Sequence, residues 1–176
     1  MSLFTWLRPR QIEDSVRQRV AGIPVPAPLN DDTLRRQRWV VLDLETSGLN
    51  TNRDQVLSIG AVVIEDGAID FSQQFERTLY QRDHKLTSSV LIHGLGPSAI
   101  AAGCDPAEAL LDLMNFVGDS PVLAFHAPFD QRMLTRALKD HLGYRLQHFF
   151  FDVAELAPLL NPQITLREAG LDDWTA

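Results

Sequence analysis

Asp43-Leu44-Glu45 closes a short apolar run, Trp39 to Leu44, and the types and spacing of its two acids define the first chemical possibility. Side chains alternate along a strand, so Asp43 and Glu45 point to one face and Leu44 to the other. Two carboxylates aimed together repel each other, an arrangement that persists cheaply when it is exposed or when a cation lies between them. Oxygen-only ligation favours hard cations, Mg²⁺ or Mn²⁺. The same pair would serve equally as polar punctuation where a strand meets a turn. A third acid, Asp130, follows the apolar stretch Val122 to Phe125 and opens a helical pattern. Asp at a helix start also acts as a cap or dipole partner, but an acid arriving from a second strand could complete a metal cluster with Asp43 and Glu45.

Several elements must place these three residues. Trp39 to Leu44, Val56 to Ile64 and Ala68 to Leu79 read as successive strands, with Glu65-Asp66-Gly67 as a hairpin turn between the last two. Asp105 caps a helix with Pro106 at its first position and Glu108 three residues on, and Leu110, Leu111, Met114 and Val117 form its buried stripe. Val122 to Phe125 is a fourth strand and Phe149 to Phe151 a fifth. Between them Phe129 to His141 is helical through Met133, Leu134, Ala137 and Leu138. Asp152 caps a helix running through Leu160, and Thr165 with Glu168 makes one more capping box. Strands first and strand-helix alternation afterwards predict a mixed sheet flanked by helices.

Residues 1–38 read as an arm ahead of a domain over 39–176: an apolar, Arg-bearing start, a short helix carrying Ile12, Val16 and Val20, and a Pro-rich stretch from Gly22 to Pro28. Such an arm either packs on its own domain or a second copy, or docks a partner. The arm holds seven Arg against four acids, which leaves the other 138 residues nine basic and nineteen acidic side chains, about -10 from a total of -7. That balance opposes a broad grip on a phosphate backbone, which comes from clustered Lys and Arg. A nucleic-acid enzyme with metal-neutralised acids and a short strand contact is still compatible with it. One cysteine, Cys104, excludes an intrachain disulfide framework and fits a reducing cytoplasm. No apolar run approaches the ~20 residues that a membrane span needs.

Phosphatases of the haloacid dehalogenase type also begin with an acid-rich strand end, but their second acid is Asp and they need a later Lys. Here the second acid is Glu, and neither Lys85 nor Lys139 follows a strand end. The ordered set of motifs resembles instead the DEDDh family of 3'-5' exonucleases, the group of the proofreading epsilon subunit of bacterial DNA polymerase III and of ribonuclease T. Asp43 to Leu49 (DLETSGL) is similar to its first motif, D-x-E-T-[TS]-G-L. Val56 to Val62 matches its second strand, Ile92 to Leu95 its V-H-G-I segment, Phe125 to Asp130 its H-N-x-x-F-D motif and Phe151 to Ala157 its D-T-x-x-L-A helix start.

The resemblance implies a ribonuclease H-like α/β fold with a five-stranded mixed sheet. It also implies a metal-dependent enzyme that releases nucleoside monophosphates from the 3' ends of single-stranded DNA, using two Mg²⁺ or Mn²⁺ ions. Asp43, Glu45 and Asp130 would be the metal ligands. Thr46, Leu49, His93 and Phe129 would hold the terminal nucleotide in a short cleft, by stacking rather than along a basic track. Phe125 and His126 stand where the family has His and Asn, which removes an amide near the scissile end. The family's last motif, a His followed about five residues later by an Asp, would come after Leu166 to Ala176. The expectation is therefore a C-terminally truncated, poorly active form. A ribonuclease of the same family, and a nonenzymatic module that binds nucleic-acid ends or docks a polymerase through residues 1–38, are the alternatives. His84, His141 and His148 are expected at solvated positions.

Overall fold

The computed structural model describes residues 14–29, 33–81, 96–160 and 162. Strands β1 (Trp39–Thr46), β2 (Val56–Glu65) and β3 (Ala68–Thr78) form an antiparallel meander, and β4 (Val122–Ala124) and β5 (Phe150–Asp152) extend the sheet in parallel beyond β1. The order is β3-β2-β1-β4-β5, the mixed five-stranded sheet that the sequence pattern predicts. The β2–β3 turn closes tightly because Asp66 and Gly67 both take positive φ, 53° and 77°, the backbone twist that a two-residue hairpin demands.

Because β1, β4 and β5 run parallel, their carboxyl ends reach one edge of the sheet, where open α/β sheets gather their ligands. Register then decides the faces. Asp43 pairs with Gly60 and Glu45 with Ser58, so these four residues share one face. Val40, Leu42 and Leu44 point the other way and are buried. On that buried side lie α3 (Pro106–Val117) and α4 (Ala127–Leu142), with Leu110, Leu113, Met114, Met133, Leu134 and Leu138 in one core cluster with the strands. Ahead of α3 sits α2 (Pro97–Ala101), a five-residue helix too short to leave a periodic signature in the sequence.

The segment before β1 is tied to both ends of α3. Helix α1 (Asp14–Ala21) brings Arg19 onto both carboxylate oxygens of Glu108, at 2.7 and 2.6 Å. Ile23 is buried, and the amide of Ala27 donates to the carbonyl of Asp119. At the other end of α3, the Arg38 guanidinium donates to the carbonyls of Phe116 and Val117 and to the Ser120 hydroxyl. These are the carbonyls a helix terminus leaves unpaired. Asp105 caps α3 as expected, accepting from the amides of Ala107 and Glu108. Glu108, which the capping-box pattern turns back toward Asp105, is instead engaged by Arg19.

A second departure concerns His148. It is buried, and its Nε2 lies 2.8 Å from the carbonyl oxygen of Gly118, where it donates. Gly118 ends α3 at positive φ, so His148 satisfies a turn that the one-dimensional pattern shows only as a glycine. The expectation of a solvated His148 is corrected accordingly. Ile12, His84, Thr165 and Glu168 lie outside the described residues. Among the described residues no helix is long and apolar enough to cross a membrane.

Asp105→Ala should lower stability by about 1 kcal/mol, the usual worth of an N-cap, measured by urea unfolding. In double-mutant cycles, Arg19 and Glu108 should couple, and less so at high salt, while Asp105 and Glu108 should be additive; the reverse would restore the capping box.

Candidate active site

Asp130 enters the site through an unusual junction. After β4 the chain passes through His126 in the left-handed region, φ 59° and ψ 45°, and α4 begins at once with Pro128 in its first turn. The amide of His126 donates to Asp152 Oδ1 at 2.9 Å, and the same oxygen accepts from the amide of Ala154 at 2.9 Å. Asp152 ends β5 beside Ala124 of β4 and caps α5 (Val153–Leu160). One carboxylate thus fixes the starts of two helices. Sequence reading found the second of these roles; the first depends on a contact 26 residues away, which no local pattern carries.

Held this way, Asp130 is only 5% exposed and lies beside Asp43. Burial pushes its carboxyl up to about 7, and the charge of Asp43 pushes in the same direction. Backbone hydrogen bonds involving Asp130 itself and Leu44 pull the other way, and Asp152 adds a smaller repulsion. Asp43 and Asp130 are therefore brought together. Glu45 stands two residues further along the Asp43 face, at a break in the β1–β2 register between Glu45 and Thr46. Among the described residues no three acids, histidines or cysteines form a ready-made metal cluster. The donor chemistry nevertheless suits a hard cation: the groups are oxygen-only, and a carboxyl raised by burial and then by its neighbour's charge is one from which a divalent ion would displace a proton.

Asp43 and Glu45 face a shallow trough of about 440 Å³ on the side of the sheet away from α3 and α4, lined also by Val41, Gly60, Val62 and Phe71. Gly60 sits directly opposite Asp43, and a Cβ there would meet nothing within 4 Å. No packing demand explains the glycine; it keeps open the space beside Asp43.

The remaining expected residues divide. Leu49 projects from the loop after β1, 86% exposed. Thr46 is buried, and its hydroxyl donates to the carbonyl of Gly48 at 2.9 Å. This contact, with the Ser47–Gln55 and Asn50–Asp54 hydrogen bonds, shapes the loop that carries Leu49. Phe129 packs against the hydrophobic core. His93 lies outside the described residues. His126 is exposed, with its ring 4.4 Å from that of Phe125.

The comparisons with known proteins agree on the fold and the family. The exonuclease family model RNase_T matches residues 40–172. The DNA polymerase III PolC-type protein of Thermotoga maritima is 32% identical over 151 residues, which is 85% of this chain and 11% of that protein. The PolC-type polymerase of Bacillus subtilis is 26% identical over 81% of this chain and 10% of its own length. The chain thus spans about a tenth of the polymerases it matches. Among solved structures, a product-bound exonuclease I superposes with a TM-score of 0.61 at 16% identity, covering 78% of this chain and 35% of the other. Escherichia coli exonuclease I with a dT13 oligonucleotide gives 0.58 at 18% identity, over 77% of this chain and 31% of that one.

The raised Asp130 carboxyl makes the metal-free protein pH-sensitive. Between its ordinary value near 4 and about 7, the folded state holds a proton that the unfolded state has released. Stability therefore falls as pH rises through that window and levels off above it. In chelator, Asp130→Asn should flatten this fall and raise Tm at pH 8 by at least ~2–4 °C, the shift that 1 kcal/mol gives in a chain of this size. Added Mg²⁺ or Mn²⁺ should stabilise the unmutated protein more at pH 8 than at pH 5. A pH profile unaffected by the substitution would remove the Asp130–Asp43 repulsion.

Gly60→Val tests the trough independently: thermal stability should hold or rise, because the space is free and valine favours strands, while turnover should fall.

Proposed function

This chain belongs to the RNase T-type exonuclease family, the DEDD exonucleases, and from that membership we propose that it releases nucleoside monophosphates from the 3' ends of single-stranded DNA. The observation that carries the proposal is the buried Asp130 held beside Asp43, itself a lining residue of the trough. DNA is preferred over RNA because the relatives at the level of sequence are DNA polymerases and a structural neighbour is bound to a DNA oligonucleotide. Its mode of attachment to a larger assembly is proposed to use the segment ahead of β1, where Val25, Leu29 and Leu34 face solvent.

Asp43, Glu45 and Asp130 are the residues that would hold divalent cations. Two such ions, when bound, would activate the attacking water and steady the leaving 3'-oxygen. The protein's own contributions are positional. Asp130 shares its proton with solvent around neutral pH and is more readily ionised when a cation binds, so below about pH 7 the free site carries less than a full set of repelling charges. Leu49, on its hydrogen-bonded loop, offers an apolar face to the terminal base. Gly60 leaves room for the sugar beside Asp43. Together these hold the last phosphodiester against the carboxylates, the part of catalysis that orientation supplies.

The direct test incubates 5'-labelled single-stranded oligonucleotides with Mg²⁺ or Mn²⁺ and separates the products. A ladder shortened from the 3' end and free mononucleotides are expected. Asp43→Asn should reduce the rate by at least the roughly 10–100-fold that loss of even an outer-shell metal partner costs. Strands closed into circles should survive. Faster degradation of RNA than of DNA of the same sequence would overturn the substrate, and metal-independent or internal cleavage would overturn the reaction.

A further inference from the structure

A second groove, of about 520 Å³, lies on the outer side of α4. Its walls are the two elements that also build the acidic site: the loop after β1, through Thr51 and Asn52, and α4, through Arg132, Arg136 and Lys139. These three cations fall at i, i+4 and i+7, one face of the helix. Arg132 is two residues from Asp130 and so leaves α4 on a different side from that buried carboxyl, and Lys139 lies about 13 Å along the axis from Asp130 at 1.5 Å per residue. What connects the groove to the site is the loop after β1, which lines the groove and also carries Leu49.

The stripe runs against the charge of its surroundings. Residues 39–176 carry about ten more acids than bases, yet three bases meet here with one acid, Asp140, at the rim. The ion pairs seen among the described residues use Arg17, Arg19, Arg53 and Arg77. Arg132 and Lys139 have no such partner there and are exposed. Arg136 is half-buried, with Nε unpaired and Nη2 on the Met133 sulfur at 3.9 Å. Cations that are not neutralised from within are free to be neutralised by a ligand.

We propose that this groove takes the sugar–phosphate backbone of the single strand entering the site, with Arg132 and Lys139 against successive phosphates upstream of the scissile bond. The inference rests on the exonuclease reading above and adds to it the path of the strand. It lengthens the expected end-binding cleft by about two phosphates, short enough to spare the chain a broadly basic surface.

The test is binding of 5'-fluorescein-labelled dT2 and dT8 by anisotropy, with Ca²⁺ in place of Mg²⁺, for the full chain and for the Arg132→Gln/Lys139→Gln double variant. Both positions are exposed, so the fold should tolerate the changes. For dT8 the variant should bind roughly tenfold more weakly at low salt, and its log–log salt slope should be shallower by about 1.4, that is ~0.7 per phosphate for two lost contacts. For dT2, affinity should be unchanged, and so should its cleavage rate in Mg²⁺. Equal dT8 binding by both proteins would overturn the groove while leaving the exonuclease reading intact, provided the unaltered chain still shortens oligonucleotides. Equal losses for dT2 and dT8 would also overturn it, as would displacement of dT8 by an octaglutamate peptide through the same two residues, which would make the stripe a site for an acidic protein. If the unaltered chain binds no oligonucleotide, both readings fall.

Discussion

A buried carboxyl beside a second carboxyl is the constraint around which the carboxyl edge of this sheet is organised. Desolvation and the charge of Asp43 both oppose ionisation of Asp130, so the pair exists only because the surrounding backbone over-determines it. Parallel pairing sets β4 beside β1. The left-handed turn at His126 then starts α4 without a loop, and the hydrogen bond from its amide to Asp152 makes that turn depend on β5 as well. Met133, Leu134 and Leu138, fully or nearly buried on α4, anchor the helix in the core. Relaxing any of these would let Asp130 move toward water. The energy that folding commits to the core is thus used to hold a charge arrangement that is unfavourable until a cation relieves it.

The two faces of the sheet follow from the same demand. Alternation sends Val40, Leu42 and Leu44 into the packing against α3 and α4, and sends Val41, Asp43 and Glu45 into the trough. A one-residue slip of β1 would exchange the two sets and bury the acids under the helices. The tight Asp66–Gly67 hairpin fixes the start of the β3 pairing against β2. The leading segment contributes at a distance: Arg19 donates to the Glu108 carboxylate in the first turn of α3 and Arg38 to the last carbonyls of that helix, against which the buried side of the sheet packs.

What the sequence made legible was whatever local chemistry specifies. All five strands, the cap at Asp105, the hairpin and the shared face of Asp43 and Glu45 come from patterns a few residues long. Apart from α2, which is too short to leave a periodic signature, the misses have one physical character in common: each is a contact between residues far apart in the chain. Glu108 sits where a capping box would use it, but Arg19, 89 residues away, takes its carboxylate. His148 looked like a surface histidine until the Gly118 carbonyl, 30 residues earlier, claimed its ring nitrogen. The second role of Asp152, holding His126, was hidden for the same reason. Of the residues that the family resemblance assigns to the terminal nucleotide, Phe129 is partly buried against the core, the Thr46 hydroxyl donates within its own loop and Leu49 is exposed.

Net charge misleads in a similar way, because it averages over distances that the solvent does not transmit. At physiological ionic strength exposed charges are screened beyond about 8 Å, so a strand lying along α4 would sense Arg132 and Lys139 but little of the acidic body behind them. An overall excess of acids therefore opposes non-specific, long-range capture of nucleic acid without opposing a short local contact. For a site whose centre is itself acidic this division is useful. A strand held mainly at its last few phosphates must present an end to the carboxylates in order to be held at all, and a body that repels the remainder of the polyanion lets the shortened strand or the released nucleotide depart. On the proposed reading, the separation of a small basic stripe from a large acidic surface would give the chain a physical basis for acting at ends rather than along a strand.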